Sequence, residues 1–143
     1  MPALTYQEIQ HILPLRYPFL MLDKVMHVNE NQIEATKLIS TRDRYTQNAQ
    51  TTYNDFPIML LIDACAQAGG ILVHFRNQNN GNQNKGYLVQ ISDFNFEQQV
   101  SIGDTVTITC LYETTFKGFT KIHSQLSVAE RQIANGKLTF YSS

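Results

Sequence analysis

The chain has 143 residues, 43% hydrophobic and 16% charged, with a formal net charge of -1. That is enough for one domain with a real core, and the near-neutral balance excludes the basic surface expected of a nucleic-acid or anionic-membrane partner. Cys65 and Cys110 lie in separate apolar segments without CxxC spacing, which suggests a reduced, cytoplasmic protein with no zinc site.

Taken in chain order, the N-terminal MPALTYQEIQ has neither a basic n-region nor an apolar h-region, so no signal peptide is expected. A short helix fits Tyr6–Ile12, followed by strands near Leu22–Val28 and Gln32–Ile39. Pro57 suits the first turn of a long helix, with Asn54 or Asp55 as its cap and an end near Asn77. The segment NQNNGNQNKG (77–86) reads as a solvated loop. Period-two patterning then predicts strands over 87–96, 105–114, 119–128 and 133–141. Asn135-Gly136 reads either as a two-residue hairpin turn or as two residues inside the final strand. One long helix followed by antiparallel strands is an α+β domain in which a sheet wraps a helix. No linker or internal repeat divides it, so residues 1–143 form a single domain.

The helix segment FPIMLLIDACAQAGGILVHF (56–75) is long and apolar, yet it carries Asp63 and Gln67 one turn apart. A central Asp costs about 2.5–3.5 kcal/mol on a membrane-insertion scale. A helix wrapped by protein on nearly all sides is therefore expected rather than a membrane span. Asp63 and Gln67 share a face. His74 lies on the same stripe, but about 16 Å further along at the standard rise. Two readings of Asp63 stand: a buried structural carboxylate bonded to a neighbouring strand, or a buried acid or base in a cleft, its pKa raised by burial. Beyond Pro57, which donates no hydrogen bond, the orphan N–H groups begin with Ile58 and can polarise a carbonyl. AGG at 68–70 suggests close helix–sheet packing. His11, His27 and His123 read as surface or edge histidines, and His74 suits the dipole at the helix C-terminus. No Gly-rich phosphate loop, metal-ligand spacing or dinucleotide fingerprint is present, so neither metal nor cofactor is expected.

Four segments in order, ILPLRYPFLMLDKV (12–25), LIDACAQAGGIL (61–72), VQISDFNF (89–96) and VSIGDTVTI (100–108), resemble the FabZ-type 3-hydroxyacyl-acyl-carrier-protein dehydratases. The resemblance implies a hotdog fold whose protomers join sheets edge to edge around an acyl tunnel. It places the last turn near Ala129–Arg131 and Asn135-Gly136 inside the final strand. It implies Asp63 as the helix carboxylate, Gln67 as the glutamine one turn on, and the Ile58 N–H as the donor to the thioester carbonyl. Phe19, Tyr53, Phe56, Ile62 and Ala66 are the implied substrate contacts, in a fold where tunnel wall and core overlap.

The chain departs from the family pattern in four places, the first being Ile58, where a glycine is usual. The catalytic histidine maps to Ala49, and no histidine occurs between His27 and His74. Leu15 stands where histidine is common, and Glu97, Gln98 and Gln99 stand where basic residues dock an acidic carrier protein. Dehydration needs a base for the α-proton and an acid for the leaving hydroxyl, and one aspartate does not conveniently supply both. Near the Ala49 position, Tyr53, Thr51 and Thr52 can hold a water but are poor bases. Three functions follow: a dehydratase-like lyase in fatty-acid or polyene-type lipid biosynthesis; a degenerate subunit pairing with a histidine-bearing paralogue; or a thioesterase using Asp63. The partners implied are an acyl thioester on acyl carrier protein or coenzyme A, and a second protomer in a homodimer, higher homo-oligomer or heterodimer.

Overall fold

The computed structural model describes residues 3–40, 56–81 and 85–142. Helix α1 (Tyr6–Ile12) opens on a capping box. Thr5 Oγ1 accepts from the Glu8 N–H at 3.2 Å, and Glu8 Oε1 accepts from the Thr5 N–H at 3.1 Å. Strands β1 (Lys24–Val28) and β2 (Gln32–Leu38) precede helix α2 (Ile58–Asn79). After it come β3 (Tyr87–Phe96), β4 (Thr105–Phe116), β5 (Phe119–Val128) and β6 (Arg131–Tyr141).

The described strands form one antiparallel sheet in the order β1-β2-β4-β5-β6-β3. Alternate residues Val106, Ile108 and Cys110 of β4, with Ile122 and Leu126 of β5, point inward and are fully buried. They belong to one core with Leu61, Cys65, Ala68, Ile71 and Leu72 of α2. This is the hotdog fold. By length and hydropathy α2 is able to cross a membrane, but here it is the central helix of the sheet.

Several expected boundaries move. The cap of α2 is Pro57 itself, with φ -59° and ψ 133° and no side-chain cap hydrogen bond; positions 54 and 55 lie outside the described residues. The helix extends to Asn79, beyond the expected Asn77, and β1 starts at Lys24, after the expected Leu22, which is buried in the core. Nor is α2 wrapped on nearly all sides: at its N-terminal end Ile58, Met59 and Asp63 are exposed.

The Asn135-Gly136 ambiguity resolves in favour of strand. Both residues lie in β6, and the turn is made by Ala129 and Glu130, at φ 51° and 67°. Glycine at 136 answers a packing need. A Cβ there would sit 2.2 Å from Cγ of Phe94, which folds over this point from β3. Gly136→Ala is therefore expected to destabilise the protein by about 1–3 kcal/mol through overpacking, read as a lowered denaturation midpoint. An unchanged midpoint would show that Phe94 swings away freely. Gly69 has the same role on the helix, where a Cβ would meet the Phe140 ring at 2.9 Å.

Candidate functional site

The site is organised by Gln67, which is buried although polar. Its Oε1 accepts from the Met21 N–H at 2.7 Å, and its Nε2 donates to the Phe19 carbonyl at 2.8 Å. One side chain thus clamps the 19–21 segment to α2, satisfying two backbone groups that strand pairing does not reach. The same Nε2 donates to Asp63 Oδ2 at 3.1 Å. Asp63 is held in position from within the protein but is itself exposed, so the expected buried carboxylate is corrected on this point. Helix periodicity gives an apolar face, and an exposed carboxylate on it marks where the sheet stops covering the helix. Burial of part of its surroundings still raises the Asp63 pKa above 3.8, with the Gln67 hydrogen bond opposing in the smaller measure.

The neighbourhood is apolar and open. Met59 and Ala66 lie about one turn either side of Asp63 on the helix face, Met59 exposed and Ala66 half-buried, while Ile62 is buried. Phe19 is 61% exposed, its backbone fixed by Gln67, and Tyr17 is 65% exposed beside a cis Tyr17–Pro18 bond. Phe56, by contrast, is a core residue, its N–H bonded to the Val100 carbonyl at 2.8 Å and its ring 5.9 Å from Lys37 Nζ. Ile58 opens α2, so its N–H belongs to the first turn, where no intrahelical acceptor exists. By helix rise this amide lies about 7–8 Å from Asp63 along the axis. Tyr53, Thr51, Thr52 and Ala49 lie outside the described residues.

The remaining titratable groups stand apart. His74 is half-buried, and desolvation lowers its pKa, which weakens its expected service as a cation at the helix C-terminus. His27 lies 3.5 Å from Glu34, and His11 is exposed. Cys65 and Cys110 are free and buried. Burial pushes the Cys110 thiol up to about 12, and its Sγ lies 3.1 Å from Ser124 Oγ. Among the described residues no cluster of His, Cys, Asp or Glu is arranged to hold a metal.

Sequence reasoning missed two features. It paired Gln67 with Asp63 but gave no sign that Gln67 clamps the 19–21 segment. It also missed a cleft beside the C-terminal half of α2, assembled from α1, the 12–16 segment and the start of β3, pieces too distant in sequence to form a motif.

Edge strand β3 completes the picture. Leu88, Val89 and Ile91 are exposed, an apolar edge of the kind that proteins cover by pairing.

The ApeP-like family model, described as ApeP dehydratase, matches residues 7–143. A 3-hydroxyacyl-[acyl-carrier-protein] dehydratase FabZ of Ruminiclostridium cellulolyticum is 33% identical over 138 residues, 96% of each chain. The dehydratase heterocomplex ApeI:P from Xenorhabdus doucetiae superposes with a TM-score of 0.79 at 16% identity, covering 94% of this chain and 90% of that one. A hypothetical thioesterase protein with coenzyme A from Streptococcus pneumoniae superposes with a TM-score of 0.67 at 14% identity, over 83% of this chain and 84% of its own. These two structures share the hotdog fold. By the family match and the full-length FabZ relative, the chain belongs to the ApeP-like dehydratase family.

Proposed function

We propose that this protein acts on 3-hydroxyacyl thioesters as one half of a composite dehydratase site. The observation that carries this reading is Asp63: a carboxyl group held at 3.1 Å by a buried, pinned glutamine, yet open to an apolar face. In dehydration the C–H bond α to the thioester breaks, the C=C bond forms, and the β-hydroxyl leaves as water. Asp63, its pKa raised, donates the proton to that hydroxyl. Gln67 is the positioning residue, and the Ile58 N–H stabilises charge on the thioester oxygen. Phe19, Ile62 and Ala66 line the acyl path, together with Tyr53; Phe56 supports it from the core.

The base comes from a second chain. This sequence has no histidine between His27 and His74, and the apolar β3 edge offers the place for a second protomer to join. A dehydratase heterocomplex among the fold relatives supports pairing with a histidine-bearing paralogue over self-pairing. The setting is cytoplasmic, where both buried thiols stay reduced. The carrier is acyl carrier protein or coenzyme A, and the products serve fatty-acid or polyene-type lipid synthesis. A thioesterase reading is favoured by one feature: an aspartate near a free helix N-terminus suffices to activate water against a thioester.

The test is turnover of a 3-hydroxyacyl thioester by the purified chain, alone and co-expressed with a histidine-bearing dehydratase-like chain. Enoyl product from the pair, with little from the chain alone, is the expected result. Equal enoyl formation by the chain alone would overturn the composite site. Thiol release from a saturated acyl thioester would establish the thioesterase instead.

A further inference from the structure

The turn between β4 and β5 has the sequence Phe116-Lys117-Gly118-Phe119. Lys117 and Gly118 have φ 50° and 85°, the paired positive values of a two-residue turn that follows the twist of its strands. Phe116 and Phe119 close this turn as register partners. Phe119 in turn faces Tyr141 of β6, and Tyr141 faces Tyr87 of β3. Cross-strand partners share a face of the sheet, so the four rings make one row across four strands. Phe140 beside Tyr141 is buried in the core, which puts the row on the opposite, outer face. All four rings are exposed, Phe116 by 70%. Those of Phe119 and Tyr141 have centroids 4.9 Å apart.

The row is confined to one end of the sheet. The next register row on that face, Gln90, Thr139, Lys121 and Thr114, is polar. The strand stretches that carry the rings, 85–90, 112–121 and 137–142, contain Lys85, Lys117, Lys121 and Lys137 against Glu113 alone. Lys117 stands at the tip, its Nζ 5.4 Å from the centre of the Phe116 ring. The whole chain, with 12 acidic and 11 basic residues, hides this local asymmetry, so its near-neutral balance does not exclude an anionic surface as partner here. A single aromatic row on a hairpin turn, with lysines around it, suits the boundary of a bilayer. There the rings enter the acyl edge while the Tyr hydroxyls and ammonium groups stay among the headgroups.

We infer that the β4–β5 turn docks on an anionic lipid bilayer. Phe116 and Phe119 enter the headgroup–acyl boundary, and Lys117 and Lys121 face the lipid phosphates. Two rings and a few lysines make a reversible contact, one that needs apolar insertion and charge together. Pairing of protomers along β3 leaves it available, because Phe116 lies three strand spacings, about 14 Å, from that edge.

The experiment is flotation of the full chain with phosphatidylcholine vesicles, and with vesicles containing about one third phosphatidylglycerol. The anionic vesicles are expected to bind the wild type about fivefold more tightly or better, and Lys117→Glu to reduce that preference. Phe116→Ser is expected to weaken binding about tenfold or more. Its thermal midpoint should not move, since Phe116 is exposed. The chain has no tryptophan, so Phe116→Trp places a single reporter at the tip. Its emission is expected to shift to the blue on anionic vesicles and to be quenched by brominated acyl chains. Failure to float with either vesicle, binding that Phe116→Ser leaves intact, or a tryptophan that brominated lipid does not quench overturns the proposal. A fall in the mass of the vesicle-free protein on Phe116→Ser overturns it too, and makes the row a contact between protein chains.

Discussion

In the pair with a histidine-bearing dehydratase-like chain, Asp63→Asn is expected to lower kcat/KM for a 3-hydroxyacyl thioester by about 10²–10⁴-fold, the range for loss of a positioned proton donor. It is expected to leave the thermal midpoint unchanged or slightly higher at neutral pH. The exposed position limits any stability change to within about 0.5 kcal/mol, and Asn keeps an acceptor for Gln67 Nε2. The sign of the pH dependence follows from the raised pKa. The native state holds the Asp63 proton to higher pH than the unfolded chain does, so its contribution to stability is fully present below 3.8 and is lost as pH rises through the raised folded value. The Asn variant lacks that loss. Catalysis has the same sense: the acid must be protonated, so the alkaline limb of the rate profile falls as Asp63 ionises. Denaturation midpoints and rate profiles of both proteins across acidic to neutral pH check this. A variant that keeps its rate but loses several degrees of stability would make Asp63 a structural residue.

Much of the fold was legible because local signals and tertiary packing agree. Helix α1 forms over Tyr6–Ile12 as expected, and the structure adds the Thr5–Glu8 capping box at its start. The alternation of Val106, Ile108 and Cys110 marks β4 because only one face of that strand is buried. Asn135-Gly136 shows where local chemistry misleads. The dipeptide favours a turn by itself, yet Phe94, more than forty positions earlier in the chain, needs the empty space over Gly136. The chain turns instead at Ala129 and Glu130, which carry no turn signature. At the site, the i,i+4 spacing of Asp63 and Gln67 was readable, since a helix fixes it. Which of the two is buried was not readable. That depends on the 19–21 segment, whose backbone reaches α2 across more than forty positions.

Gln67→Leu is expected to be the most damaging single substitution at the site, costing about 2–4 kcal/mol of stability and lowering activity together. Leucine fills nearly the same volume, so no large cavity forms. What it removes is the acceptor for the Met21 N–H and the donor to the Phe19 carbonyl. Met21 is 2% exposed, so its N–H is left buried without a partner, and each such group costs about 1–3 kcal/mol. For a chain of this size, about 3 °C of midpoint is expected per kcal/mol. The activity loss has a different origin, because Asp63 loses the donor that orients it. Double-mutant comparison with Asp63→Asn separates the two. In the Asn background, Gln67→Leu should still lower the midpoint by nearly the same amount, because the clamp on 19–21 does not involve Asp63. Its effect on the residual rate should largely vanish, because there is no longer an acid to position. Additive losses in rate would mean that Gln67 contacts the substrate itself. An unchanged midpoint would mean that the 19–21 segment is held to α2 by packing alone.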